Sequence, residues 1–334
     1  MSKEQKLLSV FNHTTNSYKY YWWLAILSRM EKGKQFLSFQ ELSIEMIRLV
    51  WYPVIYYKIS LGTQDQLSRH IKSLREILYL QDDISGEELE DKILNNLSNK
   101  YVRDITSDLC RYVPYRFIRP WHNDLRGTPD SEVNKLILKN QSIEKDLPYH
   151  IDKITDNIKI QGSWFDWISQ NMEIIRNYTY YELYKYVESR NTNLSDISIK
   201  LFKPSNRSSL GVETKLWKDF SEYRPDVQSV FEKRRIKEIK KLSIDHFLPW
   251  SFVTHDEIWN LHPMEKHHNS SKSNSLASDK YLLDYSELQY DFMNFLFDKR
   301  KGEGVTSYCE LLSMSLTDVK HVSRDQFTKV FKSE

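Results

Sequence analysis

The stretch Leu242–Leu276 reads LSIDHFLPWSFVTHDEIWNLHPMEKHHNSSKSNSL, and its reading decides the fold of the C-terminal part of the chain. Five of the ten histidines fall between His246 and His268, so groups that take up protons or bind metals are concentrated there. Leu242-Ser243-Ile244 predicts a short strand that delivers the polar pair Asp245-His246. A loop containing Pro249 follows, and Ile258-Trp259-Asn260-Leu261 predicts a second short strand. Pro263 stands where a helix can begin, because the first helical turn tolerates proline. Glu265–Ser271 predicts a brief, polar helix.

Strand, loop, strand and short helix make a ββα unit. It brings Asp245 and His246, at the end of the first strand, beside Asn269 on the helix. Oxygen ligands with water in the remaining positions suit Mg²⁺ or Mn²⁺, which makes Asp245 and Asn269 candidate metal ligands. His246 is then a candidate general base, since an ordinary imidazole titrates near about 6.5. One metal, one imidazole and nearby lysines are what phosphodiester hydrolysis requires. Each residue also has a plainer reading. His246 can be a core histidine bonded to a carbonyl, Asn269 a helix cap and Lys272 a solvated lysine on a Ser-rich turn. Neighbouring helical residues point about 100° apart, so at most one of His267 and His268 reaches DNA or metal. His255 and His262 read as surface or packing residues, and Trp250 and Trp259 as packing.

The pattern Asp245-His246, Asn260, Asn269 and Ser271-Lys272-Ser273 resembles the HNH (His-Me finger) nuclease family. His246 and Asn260 are fourteen positions apart, and Asn260 and Asn269 nine, a spacing similar to that in the HNH domain of RNA-guided CRISPR nucleases. The phrases Thr15-Asn16-Ser17-Tyr18-Lys19, Trp51-Tyr52-Pro53-Val54 and Val113-Pro114-Tyr115-Arg116-Phe117 look like those of stand-alone bacterial HNH endonuclease-domain proteins, so the resemblance covers most of the chain. It implies catalytic roles for His246, Asn260 and Lys272. His246 would activate water, Asn260 would tie the loop backbone together, and Lys272 would contact phosphate. Asp245 and Asn269 would hold Mg²⁺ (or Mn²⁺), which would bind a phosphate oxygen and the leaving 3′ oxygen. The products would carry 5′-phosphate and 3′-hydroxyl ends. Many family members have two C-x-x-C pairs that bind zinc. Here there are two cysteines in all, Cys110 and Cys309, so no structural zinc is expected. Flanking helices at Lys215–Lys241, interrupted at Pro225, and at Tyr281–Lys299 are expected to stabilise the ββα core instead.

The run Glu232–Lys241 carries six basic residues against two acidic ones. Read as a helix end, it is either a solvated face or a phosphate contact through Arg234, Arg235, Lys237, Lys240 and Lys241. Arg111–Trp121 interleaves three arginines with four aromatics and contains two prolines, which predicts an extended or turn-rich segment. Arg116 and Arg119 are candidate nucleic-acid contacts there, with a buried connector as the alternative.

The first two hundred residues read as mostly helical. Helices are expected from Ser17 through Leu27, over Ser38–Tyr57 with a kink at Pro53, and over Gln64–Tyr79 and Glu87–Tyr101. Trp164–Arg190 reads as helical with a break near Asn177. Breakers cluster in Phe202–Gly211, the best internal boundary. The fold class is thus mainly α. Residues 1–205 form a helical targeting or regulatory region, and 206–334 an HNH nuclease domain with its ββα core at about 242–276.

With 40% apolar and 28% charged residues the chain reads as a globular protein and not a disordered one. Its apolar runs are too short for a membrane span, and no P-loop or G-x-G-x-x-G occurs. Met1–Lys6 lacks a signal-peptide apolar region, and the two cysteines point to a reducing, cytoplasmic setting. A net charge of +2 means that a nucleic-acid partner must be held by a local patch. The 13% aromatics either fill gaps between helices or stack on bases. The expected function is a metal-dependent DNA endonuclease. Family analogy adds bacterial restriction or anti-phage defence, with a protein partner or activating ligand. The alternatives are a nucleic-acid-binding scaffold with a silent site, and a nuclease acting on RNA or single strands.

Overall fold

The computed structural model describes residues 2–12, 14–122, 125, 127–143, 146–204, 209–268, 276–299 and 302–333. The chain forms two compact units, Met1–Pro204 and Ser205–Glu334. It is mainly α, with two small antiparallel sheets.

In the first unit the helix Tyr18–Glu31 is buried on nearly every side, as its lack of a polar face requires. Beside it runs Phe39–Trp51, which opens with a capping box between Ser38 and Glu41. The expected kink at Pro53 takes the form of a π-helical turn, Tyr52–Tyr56. Proline removes one i→i−4 bond, and the ladder resumes with Tyr57 N–H donating to the Tyr52 carbonyl at 2.9 Å. Aromatics fill this core. Trp23 stacks on Phe117 at 4.9 Å, and Trp22 Nε1 donates to the Tyr149 hydroxyl at 3.0 Å. Buried Arg29 meets Glu45 at 2.8 Å and Glu90 at 3.1 Å, and Arg48 meets the same two carboxylates.

Several expectations are corrected here. The helical region contains a three-stranded sheet, β1 (Phe36–Ser38), β2 (Tyr149–Asp152) and β3 (Asn157–Ile160), in the order β1-β3-β2. Its hairpin turns where Asp152 accepts the Ile154 N–H and Asp156 takes positive φ. Arg111–Trp121 is not extended. Val113–Ile118 is a helix with Pro114 in its first turn, and Arg119–Trp121 continues as a 3-10 turn. The expected Glu87–Tyr101 helix is divided, with Gly86–Asn95 ending before Lys100–Leu109 begins. The break near Asn177 lies at Asn171, between Gly162–Gln170 and Met172–Glu188.

In the second unit the helix Gly211–Tyr223 stops ahead of Pro225. The expected helix to Lys241 is absent. The chain there makes a bridge between Gln228 and Arg235 and a 3-10 turn at Ile236–Glu238. Strand β4 (Leu242–His246) then pairs antiparallel with β5 (Leu261–Glu265), and Asp245 lies opposite His262. The second strand thus begins where the expected one ends, and Ile258–Asn260 is a 3-10 turn. Pro263 belongs to β5, opposite Ile244, and opens no helix. Bonds from Phe247 to Asn260 and from Lys266 to Lys241 fix the alternation, so Ile244 and Pro263 form a non-hydrogen-bonded pair. Proline sacrifices no ladder bond at that position. On the outer edge of β5, Gln289 Nε2 donates to the Leu261 carbonyl at 2.6 Å, and the Glu265 N–H donates to Glu232 at 3.0 Å.

Two strands cannot make a core alone. The helix Leu282–Asp298 completes it with Tyr285, Leu288, Phe292 and Leu296. Trp217 from the preceding helix stacks on Phe292 with centroids 3.8 Å apart. Burying such side chains contributes about 1.5–3 kcal/mol each.

Candidate active site

His246 ends β4, and its ring is almost enclosed, at 4% exposure. Its Nε2 lies 2.8 Å from Asp256 Oδ1. The sequence reading leaves this imidazole to the water alone. In the fold its Nε2 is already engaged by a carboxylate. A carboxylate only accepts, so Nε2–H donates to Asp256 and the ring's basic lone pair falls on Nδ1. Asp256 was not a candidate in the sequence. Ten residues separate it from His246, and the loop between them brings the two together.

That loop is tied by Asn260, which is fully buried. Its Oδ1 accepts the Leu248 N–H at 2.8 Å, its Nδ2 donates to the Leu248 carbonyl at 2.9 Å, and its own carbonyl accepts from Phe247 at 2.8 Å. A second tie comes from Tyr285, whose hydroxyl donates to the Trp259 carbonyl at 2.6 Å and whose ring stacks on Phe247 at 3.8 Å. Burial above all, with Tyr308 and Asp245 adding, pushes the Tyr285 phenol well above its ordinary range, so it stays a donor.

Asp245 is half-buried beside His262, its cross-strand neighbour. Side chains alternate along a strand, so Asp245 and His246 leave β4 on opposite faces and share only the strand end. Residues 266–268 are helical after β5. Asn269 and Lys272, expected further along that helix and turn, lie outside the described residues. Asp245 offers the oxygen chemistry that Mg²⁺ or Mn²⁺ prefers. A second group, Glu265, His267 and His268, brings one ligand atom from each residue within 4.8 Å of the others. Two imidazoles and a carboxylate suit a transition metal better than Mg²⁺. His267 Nδ1 lies 3.2 Å from Glu265, and His268 Nδ1 2.9 Å from Glu232.

The basic run before β4 is exposed, but Arg234 pairs with Glu265 at 2.7 Å and Arg235 with Glu238 at 3.6 Å. Lys237, Lys240 and Lys241 are exposed as well. Arg116 and Arg119 belong to the other unit, where they line a cavity.

Residues 228–278 match the family model described as HNH endonuclease. The chain carries an HNH domain. The matched stretch contains β4, the loop through Asp256, Asn260 and β5. No curated protein and no solved structure matches the chain. An HNH domain is a nuclease module. HNH nucleases use divalent metals in general, and the domain offers oxygen and imidazole donors on both sides of the strand pair. Among the described residues no helix is long and apolar enough to cross a membrane.

Proposed function

We propose that the protein is a metal-dependent DNA endonuclease that hydrolyses phosphodiester bonds with His246 as general base. The observation that carries this reading is the His246–Asp256 contact within the matched HNH stretch. Asp256 fixes the imidazole's tautomer and stabilises the imidazolium formed when Nδ1 takes the proton of the attacking water. Asn260 holds the loop that carries Asp256, so it acts on geometry and not on the proton. Asp245, with Asn269, would hold Mg²⁺ or Mn²⁺. A bound divalent ion supplies Lewis-acid stabilisation of charge growing on phosphate. Lys237, Lys240 and Lys241, with Lys272, are proposed to contact the DNA backbone without reading sequence. Arg234 and Arg235 join them only where phosphate displaces Glu265 and Glu238. The Met1–Pro204 unit is proposed to target or regulate the Ser205–Glu334 unit, and restriction or defence against phage is the biological setting proposed by analogy.

A plasmid-cleavage assay tests this, with wild type and His246→Ala in Mg²⁺, in Mn²⁺ and in EDTA. Metal-dependent nicking or linearisation by wild type alone supports the reading. Equal cleavage by both proteins sinks the mechanism. Parallel duplex DNA, single-stranded DNA and RNA substrates identify the nucleic acid attacked.

A further inference from the structure

We propose that Glu265, His267 and His268 form a binding site for one transition-metal ion of the zinc class, separate from the Asp245–His246 centre. The proposal stands apart from the nuclease reading, since it concerns capture of an ion and not cleavage. One ligand atom from each of the three residues lies within 4.8 Å of the other two. Glu265 ends β5 opposite Leu242, whereas His246 stands opposite Leu261. Glu265 and His246 are thus four residue steps apart along the strand pair, about 13 Å at the usual rise of a strand. Metal–ligand bonds are about 2 Å long, so one ion does not serve both places.

Three observations carry it. Consecutive side chains of a helix leave its axis about 100° apart, which lets at most one of the two histidines reach a metal. In the fold the His267 and His268 rings nevertheless converge, with centroids 3.9 Å apart. Next, His267 Nδ1 stands 3.2 Å from Glu265 Oε2. A charged N–H···O bond is shorter, about 2.7–2.9 Å. Two ligands of a tetrahedral ion with bonds of about 2.0–2.1 Å stand about 3.3 Å apart. Finally, His268 Nδ1 lies 2.9 Å from Oε1 of Glu232, whose side chain is 3% exposed. A carboxylate only accepts, so Nδ1–H donates and the basic lone pair of His268 falls on Nε2. Metal-ligating histidines are held in this way, with one nitrogen on a carboxylate and the other on the ion. Glu232 also accepts the Glu265 N–H at 3.0 Å. One buried carboxylate thus fixes the ring of one ligand and the backbone of another.

The donor set fixes the class of ion. Two imidazoles and one carboxylate suit Zn²⁺, with water in the fourth position, whereas Mg²⁺ takes oxygen ligands. Arg234 pairs with Glu265 Oε1 at 2.7 Å, and Oε2 is the oxygen that faces His267. With neutral imidazoles, Glu265, Glu232 and Arg234 carry one net negative charge between them, which attracts a cation. Two protonated rings at this separation would repel, whereas one ion bridges them. His267 is 66% and His268 45% exposed, so the ion enters from solvent. No cysteine takes part, which sets this site apart from a C-x-x-C zinc site. A bound ion would join the end of β5 to the helical residues that follow it, with Glu232 holding both from outside.

The test is calorimetric titration of the metal-stripped full-length protein, free of any affinity tag, with ZnCl₂ and separately with MgCl₂. The expected result is micromolar binding of Zn²⁺ that His267→Ala and His268→Ala each weaken by about tenfold or more. Mg²⁺ should bind these residues far more weakly. Glu232→Gln should weaken Zn²⁺ binding by about 10- to 100-fold, the usual weight of a carboxylate behind a ligating histidine. If that variant fails to fold, the two exposed histidine variants still decide. The binding event that they remove should persist in Asp245→Ala, which separates this site from the catalytic centre. Zn²⁺ should also raise the thermal unfolding midpoint of the wild type, and not that of His267→Ala with His268→Ala. The proposal is overturned by no Zn²⁺ binding below millimolar concentration. Zn²⁺ binding unmoved by the histidine variants, binding lost in Asp245→Ala, or Mg²⁺ bound as tightly as Zn²⁺ would overturn it equally.

Discussion

In the Ser205–Glu334 unit the polar groups at the strand ends are bonded to one another. His246 meets Asp256, and Asn260 closes on both backbone groups of Leu248. In the Met1–Pro204 unit a cavity gathers Lys19, Arg116 and Arg119, and burial, then the two guanidiniums, push the Lys19 ammonium down. The first arrangement is closed by hydrogen bonds within the fold. The second carries a cost, seen in the depressed Lys19 ammonium, that the rest of the fold must offset. Preorganisation and electrostatic tension therefore leave opposite marks on stability, and substitutions separate them.

The largest effect is expected at His246. His246→Ala should lower cleavage by about 10³-fold, the usual weight of a general base, while circular dichroism and DNA binding stay unchanged. Retained cleavage would break the comparison at its catalytic end. Next, Asn260→Ala removes both ties to Leu248. Chemical denaturation should show a loss of about 2–3 kcal/mol, with reduced cleavage. Asp256→Asn keeps the shape but weakens the preference for Nε2–H. A fall of about 10- to 100-fold in kcat, with KM and unfolding midpoint unchanged, would mark Asp256 as a positioning residue. Loss of folding alone would mark it as structural.

The smallest effect has the opposite sign. Lys19 has a folded pKa near 8 against an ordinary 10.5. Between these values the unfolded chain binds more protons, so stability rises with pH there, and below pH 8 the full cost is present. Lys19→Met should therefore stabilise the protein at pH 7 by about 1–2 kcal/mol, an increase of several degrees in thermal unfolding. The gain should fade as pH approaches 10.5. A destabilised variant would show that the bond from Lys19 to the Val10 carbonyl outweighs the crowding.

The sequence made Asp245, His246 and Asn260 visible because a motif encodes them by spacing along the chain. Asp256 has no such mark. Its meaning arises only when the loop folds back on β4. The prolines play different parts in the fold. Pro53 and Pro225 punctuate helices as expected, but Pro114 starts one, and Pro263 sits in a strand at a position where no bond is lost. The β1–β3 sheet escaped notice because strands of three or four residues carry too few alternations to register. The basic run to Lys241 is expected to continue the helix beyond Pro225, but the chain there makes a bridge and a 3-10 turn. The cavity was hidden because its cations come from three separated stretches, at Lys19, at Arg69 and at Arg111–Arg119.

The edge of β5 has a consequence for the behaviour of this protein in concentrated solution. A two-stranded sheet has two open margins, and an open margin can recruit a strand from another molecule. Along β5 the Leu261 carbonyl is held by Gln289, the Glu265 N–H is held by Glu232, and Pro263 between them has no N–H to offer. An incoming strand would find these three partners taken or missing. The proline that misleads a reader of the sequence thus makes this margin of the sheet a poorer template for another strand.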